Sequence, residues 1–288
     1  GIPSYYCIVN AGREKMGLDP DFASMNQANH VILCLPFEND YTWLECTSQT
    51  APFGFLGDFT DDRLVLACTE EGGKLLRSPE LKTAGNLSKR NALLKIDKEG
   101  NLAGNMKTVA KGAQYDDDEY LSTQSPEEQV KSLKEKYDID NIDFSDLQIV
   151  QLKNQDPSTE IQFTLAIKNY MSKTQNRAYL VLNPFNKISS IKEVMSRNRK
   201  VYINRGFVDE DEIRYQLPEG FTIEAKPGDV NIKNEFGSYS MKLLMEGKTM
   251  IYSRQLIINN GLFKPEKYAE FVAFISEISQ YDRAKAVF

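Results

Sequence analysis

The chain's single histidine, His30, opens the run NHVILCLPFENDYTWLECT, which ends on a second polar outlier, Glu45. A histidine base with a carboxylate partner is two thirds of the machinery that activates a cysteine nucleophile. The imidazole takes the thiol proton at one nitrogen, while the carboxylate holds the proton on the other and fixes the tautomer. Trp43 beside them supplies an apolar wall that would limit water around the ion pair. The plainer reading of the same residues is a histidine at a strand edge and a glutamate on a half-exposed strand.

A hairpin would bring the two together. Pro36 can begin a four-residue loop, PFEN, closing between Leu35 and Asp40, so that His30 stands opposite Glu45. The strand period of two then puts His30, Ile32, Cys34, Tyr41, Trp43 and Glu45 on one face. Val31, Leu33, Leu35, Thr42, Leu44 and Cys46 take the other. A register shift of two residues keeps both titratable groups on the same face, whereas a shift of one separates them. Cys34 shares the face but sits four residues along the strand from His30. At roughly 3.3 Å per residue that is about 13 Å, too far for direct proton transfer.

The rest of the chain reads as α+β and mostly strand. DDRLVLACTEEGGKLLRSP gives two strands around a Glu-Gly-Gly turn, with Asp61-Asp62-Arg63 as a polar loop before them. A boundary is expected near residues 78 to 90, where Pro, Gly, Asn and charge interrupt the apolar pattern. Beyond it, ALLKIDKEGNLAGNMKTVAKG and TEIQFTLAIKNYM alternate as strands, and RAYLVLNPF is a further buried candidate. SPEEQVKSLKEKY predicts a helix with Ser125 as cap, Pro126 in first position and Glu128 completing a capping box. Between residues 212 and 261, four to five short strands separated by Pro-Glu-Gly, Pro-Gly-Asp, Phe-Gly and Glu-Gly turns have the spacing of an antiparallel sandwich. PEKYAEFVAFISEISQY then predicts a helix whose Tyr268, Phe271, Val272, Ile275 and Ile278 cap or flank the sheet.

Composition narrows the chemistry. The 288 residues, 41% hydrophobic and 26% charged, suffice for a core and for two or more domains. A net charge of -6, without a basic stripe interleaved with aromatics, argues against nucleic acid as a partner. RNRK at 197 to 200 reads as a solvated loop. No apolar stretch reaches the roughly 20 residues of a membrane-spanning helix. The acidic runs DDDEY at 116 to 120 and DEDE at 209 to 212 lack calcium-loop spacing and read as solvated charge in loops. One histidine and four scattered cysteines, Cys7, Cys34, Cys46 and Cys68, make no zinc site, and no glycine-rich phosphate loop is present. No cofactor or metal is expected.

The segments GIPSYYCIVN and NHVILCLPFENDYTWLECTSQTAPFGFLG resemble the second half of a transglutaminase-like core, the papain-related fold of many bacterial cysteine proteases and amidases. NALLKIDKEGNLAGN, YQLPEGFTIE, NEFGSYS and KPEKYAEF resemble the β-rich extension that follows that core. The resemblance implies that His30 is the family's histidine and that Glu45 stands where the family usually has aspartate. It also implies that the nucleophilic cysteine lies on a helix upstream of Gly-Ile-Pro, outside these residues. The four cysteines break the family order of cysteine, histidine, acid, and none is placed at a helix start where a thiolate is stabilised.

The expected organisation is thus a partial transglutaminase-like core at 1–82 and a β-rich accessory region at 83–288, with a further division near 205. The chain alone should not catalyse acyl transfer. Its parent is expected to be a cysteine protease, amidase or acyltransferase acting on protein or peptide, and the resemblance implies an extracytoplasmic location in the periplasm or cell envelope. The missing helix should leave apolar strand surface uncovered near Ile8, Val31, Leu33 or Trp43, a route to self-association. The alternative function is a binding or assembly module for peptide, glycan or an envelope protein, built on a degenerate core.

Overall fold

The structure, a computed structural model, describes residues 1–38 and 40–288, with residue 117 by its backbone alone. The first sheet is formed by β1 (Tyr5–Val9), β2 (His30–Phe37), β3 (Asp40–Leu44), β4 (Leu64–Thr69) and β5 (Gly72–Arg77). A short helix, α1 (Gly57–Thr60), lies between β3 and β4. The strands run antiparallel in the order β3-β2-β1-β4-β5. Alternation gives the sheet one dry face, where Cys7, Val9, Ile32, Cys34, Trp43, Val65 and Ala67 pack with Leu56. Trp43 is only 3% exposed. Of the positions where uncovered apolar surface is expected, Ile8, Val31 and Leu33 lie on the other face, where Tyr6 and Leu75 are exposed.

The β2–β3 hairpin differs from its predicted form. Leu35 faces Thr42 and Phe37 faces Asp40, so the strand runs through Pro36 and the register is shifted by two residues. Pro36 lies inside β2 rather than at the start of a four-residue loop. Residue 39 of that loop lies outside the described residues. Because the shift is even, every side chain keeps its predicted face.

The remaining chain is mostly strand. It begins with β6 (Leu87–Ile96), β7 (Leu102–Lys111), α2 (Ala113–Glu119), α3 (Pro126–Tyr137), β8 (Ile142–Leu152) and β9 (Ser158–Ile167). Short strands β10 (Ser172–Lys173), β11 (Ala178–Val181) and β12 (Val201–Ile203) precede β13 (Phe207–Gln216), β14 (Val230–Asn234), β15 (Gly237–Glu246) and β16 (Thr249–Ile258). Then come β17 (Gly261–Phe263), α4 (Tyr268–Tyr281) and β18 (Lys285–Val287).

Eight of these strands form one sheet, β14-β15-β16-β13-β6-β7-β9-β8, antiparallel except where β13 runs parallel to β6. Residue 205 lies between β12, which pairs with β17, and β13 of this sheet. Ile161, Phe163, Leu165 and Ile167 point inward from β9, and Ile275 and Ile278 of α4 close over the sheet, as their spacing predicts, joined by Phe274 from outside the predicted stripe. Each such fully buried side chain contributes about 1.5–3 kcal/mol. The predicted capping box holds α3: Ser125 Oγ accepts from Glu128 N at 3.4 Å, and Glu128 Oε2 accepts from Ser125 N at 3.0 Å.

Both acidic runs depart from the loop reading. Residues 116 to 119 are helical in α2, where Asp118 is buried against Lys136. DEDE lies within β13, whose alternation turns Asp209 and Asp211 inward. RNRK is exposed, with Arg197 set over the Tyr268 ring.

The loop from residue 46 to α1 joins the two regions. Phe55 meets Tyr115 edge-on at 5.6 Å, Lys153 donates to the Thr50 carbonyl at 2.9 Å, and Asp58 N donates to Asp116 Oδ2 at 2.5 Å. Gly57, at φ +66°, permits that approach, since a Cβ there would overlap Asp116 Oδ2. Gly57→Ala is therefore expected to destabilise the fold by about 1–3 kcal/mol, read by denaturant unfolding. A change within a few tenths of a kcal/mol would mean that the loop adapts freely.

Candidate active site

His30 and Glu45 meet. His30 Nε2 lies 3.1 Å and 3.0 Å from the two carboxylate oxygens of Glu45. Their side chains are 13% and 9% exposed, so the pair is shielded but reachable. Extending the observed register places Glu45 opposite Ile32, making it the diagonal neighbour of His30 on the same face. A glutamate spans that diagonal.

Glu45 is itself fixed. Thr47 donates to its Oε1 through both the backbone N–H at 2.9 Å and the hydroxyl at 2.7 Å. Burial pushes the carboxyl up, but the two Thr47 bonds and then His30 more than offset it, and Glu45 sits below its ordinary value. By linkage, this depressed group contributes stability above its unfolded value and loses it as pH falls through its own lower one. An ionised carboxylate only accepts, so Nε2 must carry the proton, and Nδ1 is left with the lone pair of the neutral ring.

Two neighbours fix the imidazole's surroundings. Phe59 of α1 packs edge-on against the ring, with centroids 5.3 Å apart and planes at 76°. Asn29, one residue before His30, is clasped to Ala11: Ala11 N donates to Asn29 Oδ1 at 2.7 Å, and Asn29 Nδ2 donates to the Ala11 carbonyl at 3.1 Å. Beside Glu45 opens a cleft of about 290 Å³, lined by Arg13, Thr47, Phe55, Asp58 and Phe59 among others. An apolar groove of about 420 Å³ lies elsewhere, against Ile8, Phe22, Met25, Leu66 and Leu75, and includes neither His30 nor Glu45.

The predicted wall residues lie on the expected face, Cys34 and Trp43 paired across β2 and β3 and both buried. Cys34 is no thiolate. Burial pushes its thiol up to about 11, and burial with the nearby Cys34 pushes Cys7 up to about 12. All four cysteines are free, and Cys46 and Cys68 are exposed. A thiol reagent at neutral pH is therefore expected to modify Cys46 and Cys68 quickly, and Cys7 and Cys34 only after unfolding. Peptide mapping of the labelled native chain reads this directly. Rapid labelling of Cys34 would contradict the burial.

Asp61-Asp62-Arg63 is the polar loop expected before β4, but it is largely buried. Asp61 and Arg63 are each 1% exposed. Arg63 donates to the carbonyls of Asp61 at 3.0 Å, Asn10 at 2.6 Å and Gly12 at 3.0 Å, stitching the loop after β1 to the end of α1. Lys15 reaches Asp62 at 2.8 Å. Sequence reasoning missed this node, together with Thr47, Phe59 and Asn29. The cues were present as a hydroxyl two residues after the acid and an amide one before the base. Among the described residues, no cluster of three or more His, Cys, Asp or Glu side chains could hold a metal, and no helix is long and apolar enough to cross a membrane.

Residues 176–288 match the family described as a domain of unknown function with a solved structure, DUF3858. A crystal structure from Parabacteroides distasonis, described as a candidate protease, is similar over 100% of this chain and 40% of its own, with TM-score 0.47 and 13% identity. The chain thus spans 40% of that protein's length. No curated protein matches.

Proposed function

We propose that this chain is the part of a transglutaminase-like cysteine protease, amidase or acyltransferase that bears the histidine and the acid, with the nucleophilic cysteine supplied from outside these residues. The observation that carries the reading is the Nε2 contact with both oxygens of Glu45, at 3.1 and 3.0 Å, on a carboxylate already anchored by Thr47. In this reading residues 1–82 are a partial core and residues 83–288 a β-rich, sandwich-type accessory region. The location is extracytoplasmic and the substrate is a protein or peptide.

The chemistry follows from the tautomer. His30 Nδ1 takes the proton of the incoming thiol, and the thiolate attacks the carbonyl carbon of the substrate amide. Glu45 stabilises the imidazolium through Nε2–H. The imidazolium then returns a proton to the leaving amine as the thioester forms, and water or an acceptor amine releases the acyl group. Neither His30 nor Glu45 replaces the attacking thiolate, so the chain alone holds the base and its partner without the covalent step.

The test compares this chain with the longest natural polypeptide containing it. A thiol-directed electrophile and a generic amide substrate should give His30-dependent labelling and turnover in the longer polypeptide, and none in the 288-residue chain. His30-independent turnover in the longer polypeptide would sink the proposal. So would turnover by the short chain that is lost on replacing one of its own cysteines.

A further inference from the structure

We infer that Arg205 is a positioning residue for His30, supplied by the accessory region, within the span of the DUF3858 match. The inference rests on reading His30 and Glu45 as base and partner. Its physical basis is a continuous set of contacts from Arg205 to the imidazole along two routes.

Arg205 is almost buried, its side chain 10% exposed. Its Nε donates to the Asp61 carboxylate at 3.2 and 3.3 Å, its Nη2 to Asp61 Oδ1 and the Asp58 carbonyl, and its Nη1 to the Arg13 carbonyl at 2.8 Å. Asn204 adds a bond to the same Arg13 carbonyl. One guanidinium therefore holds both loops that reach the histidine. A planar fork with five donors can do this, whereas an ammonium on a flexible stem cannot reproduce it.

The first route runs through α1. Asp58 and Asp61 bracket Phe59, whose ring rests on His30 and whose carbonyl accepts from Gly12 N at 2.9 Å. The second runs through the loop after β1. Arg13 is two residues from Ala11, which clasps Asn29, and Asn29 N donates to the Val9 carbonyl at 3.2 Å. Arg63 locks the two routes together from beneath, through Asn10, Gly12 and Asp61. Glu45 fixes one nitrogen of the ring, but a single contact leaves the ring free to swing about it. Phe59 packs against the ring and the Asn29 clasp fixes the backbone just before it, and Arg205 holds both in place. The accessory region would thereby set the direction in which Nδ1 points.

The lone histidine makes the test clean, because ring-nitrogen NMR of the full chain reads one imidazole. Arg205→Met is expected to move both ring-nitrogen resonances toward those of a mobile imidazole. It should also speed carbethoxylation by diethyl pyrocarbonate about threefold or more, the size of couplings carried through packed networks. Arg205→Lys should recover part of both effects. Glu45→Gln is the control for the pair and must move the same resonances on its own. If it moves them while folded Arg205→Met and Arg205→Lys leave them at wild-type positions, Arg205 does not position His30, though the pair stands. The same holds even if both variants melt at lower temperature. If Glu45→Gln is silent, the pair itself falls and takes this inference with it. Should Arg205→Met not fold, the lysine variant alone decides by the same resonances.

Discussion

On the proposed reading, His30→Ala in the longest natural polypeptide that contains this chain should lower kcat/KM for amide turnover about 10³-fold, the usual worth of a positioned general acid–base group. Glu45→Ala should cost less, about tenfold to a hundredfold, because Glu45 acts through the imidazole rather than on the reacting atoms. Both losses should appear mainly in kcat if substrate binding is left intact. Glu45→Gln keeps a side chain of the same length that can still accept from Nε2–H, but it removes the negative charge that stabilises the imidazolium. It should fall between wild type and Glu45→Ala. Because Glu45 is held below its ordinary value, the wild-type advantage over Glu45→Gln should persist through mildly acidic pH. It should vanish only as the carboxylate is finally protonated. A His30→Ala variant that keeps wild-type kcat would end the reading of His30 as base, whatever its distance to Glu45.

How much of this site could be read from residues depends on which interactions are local. His30 and Glu45 share a strand face by period alone, and a register shift of two keeps them within reach, so their meeting tolerates the two-residue difference in the hairpin. That difference arises because proline usually signals a turn. Pro36 instead occupies β2 beyond Cys34, the last residue that pairs with β1, a place where a proline's missing donor is tolerated, and the sequence does not say where the neighbouring strand ends. The cap of α3 and the stripe of α4 were legible for the same reason of locality. Asp61 and Arg63 were not. Opposite charges two residues apart usually mean a solvated loop, and the partner of Asp61, Arg205, lies 144 residues away. DEDE was illegible for a like reason, since Asp211 points inward to arginines on neighbouring strands and Asp209 to the side-chain amides of Gln114 and Asn186, all distant in sequence.

Arg254→Met should cost about 3–5 kcal/mol of folding stability, the penalty for leaving buried carboxylates without their cation. Arg254 is fully buried and spans two of them. Its Nη1 donates to Asp211 Oδ2 at 3.0 Å, while its Nε and Nη2 donate to Asp282 at 2.7 and 2.9 Å. Burial alone would push the guanidinium down, but Asp282 and Asp211 outweigh it and hold it up. Asp211 also accepts from Arg90 Nη1 at 3.0 Å, and Asp282 from the Tyr239 hydroxyl at 3.0 Å. Arg90, Asp211 and Arg254 are direct neighbours on β6, β13 and β16. This charged row therefore crosses the pair where β13 runs parallel to β6. A slip of β13 by two residues in the direction that puts Ile213 against both arginines would leave them without a carboxylate, so in that direction the row ties register to charge pairing as well as to apolar alternation. The double variant Arg254→Met with Asp282→Asn removes one carboxylate along with its cation. It should cost less than the sum of the single variants, with a coupling of about 1–3 kcal/mol in urea unfolding. Additive losses would show that Arg254 and Asp282 act independently, and a loss under about 1 kcal/mol for Arg254→Met would show that water or rearrangement replaces the guanidinium.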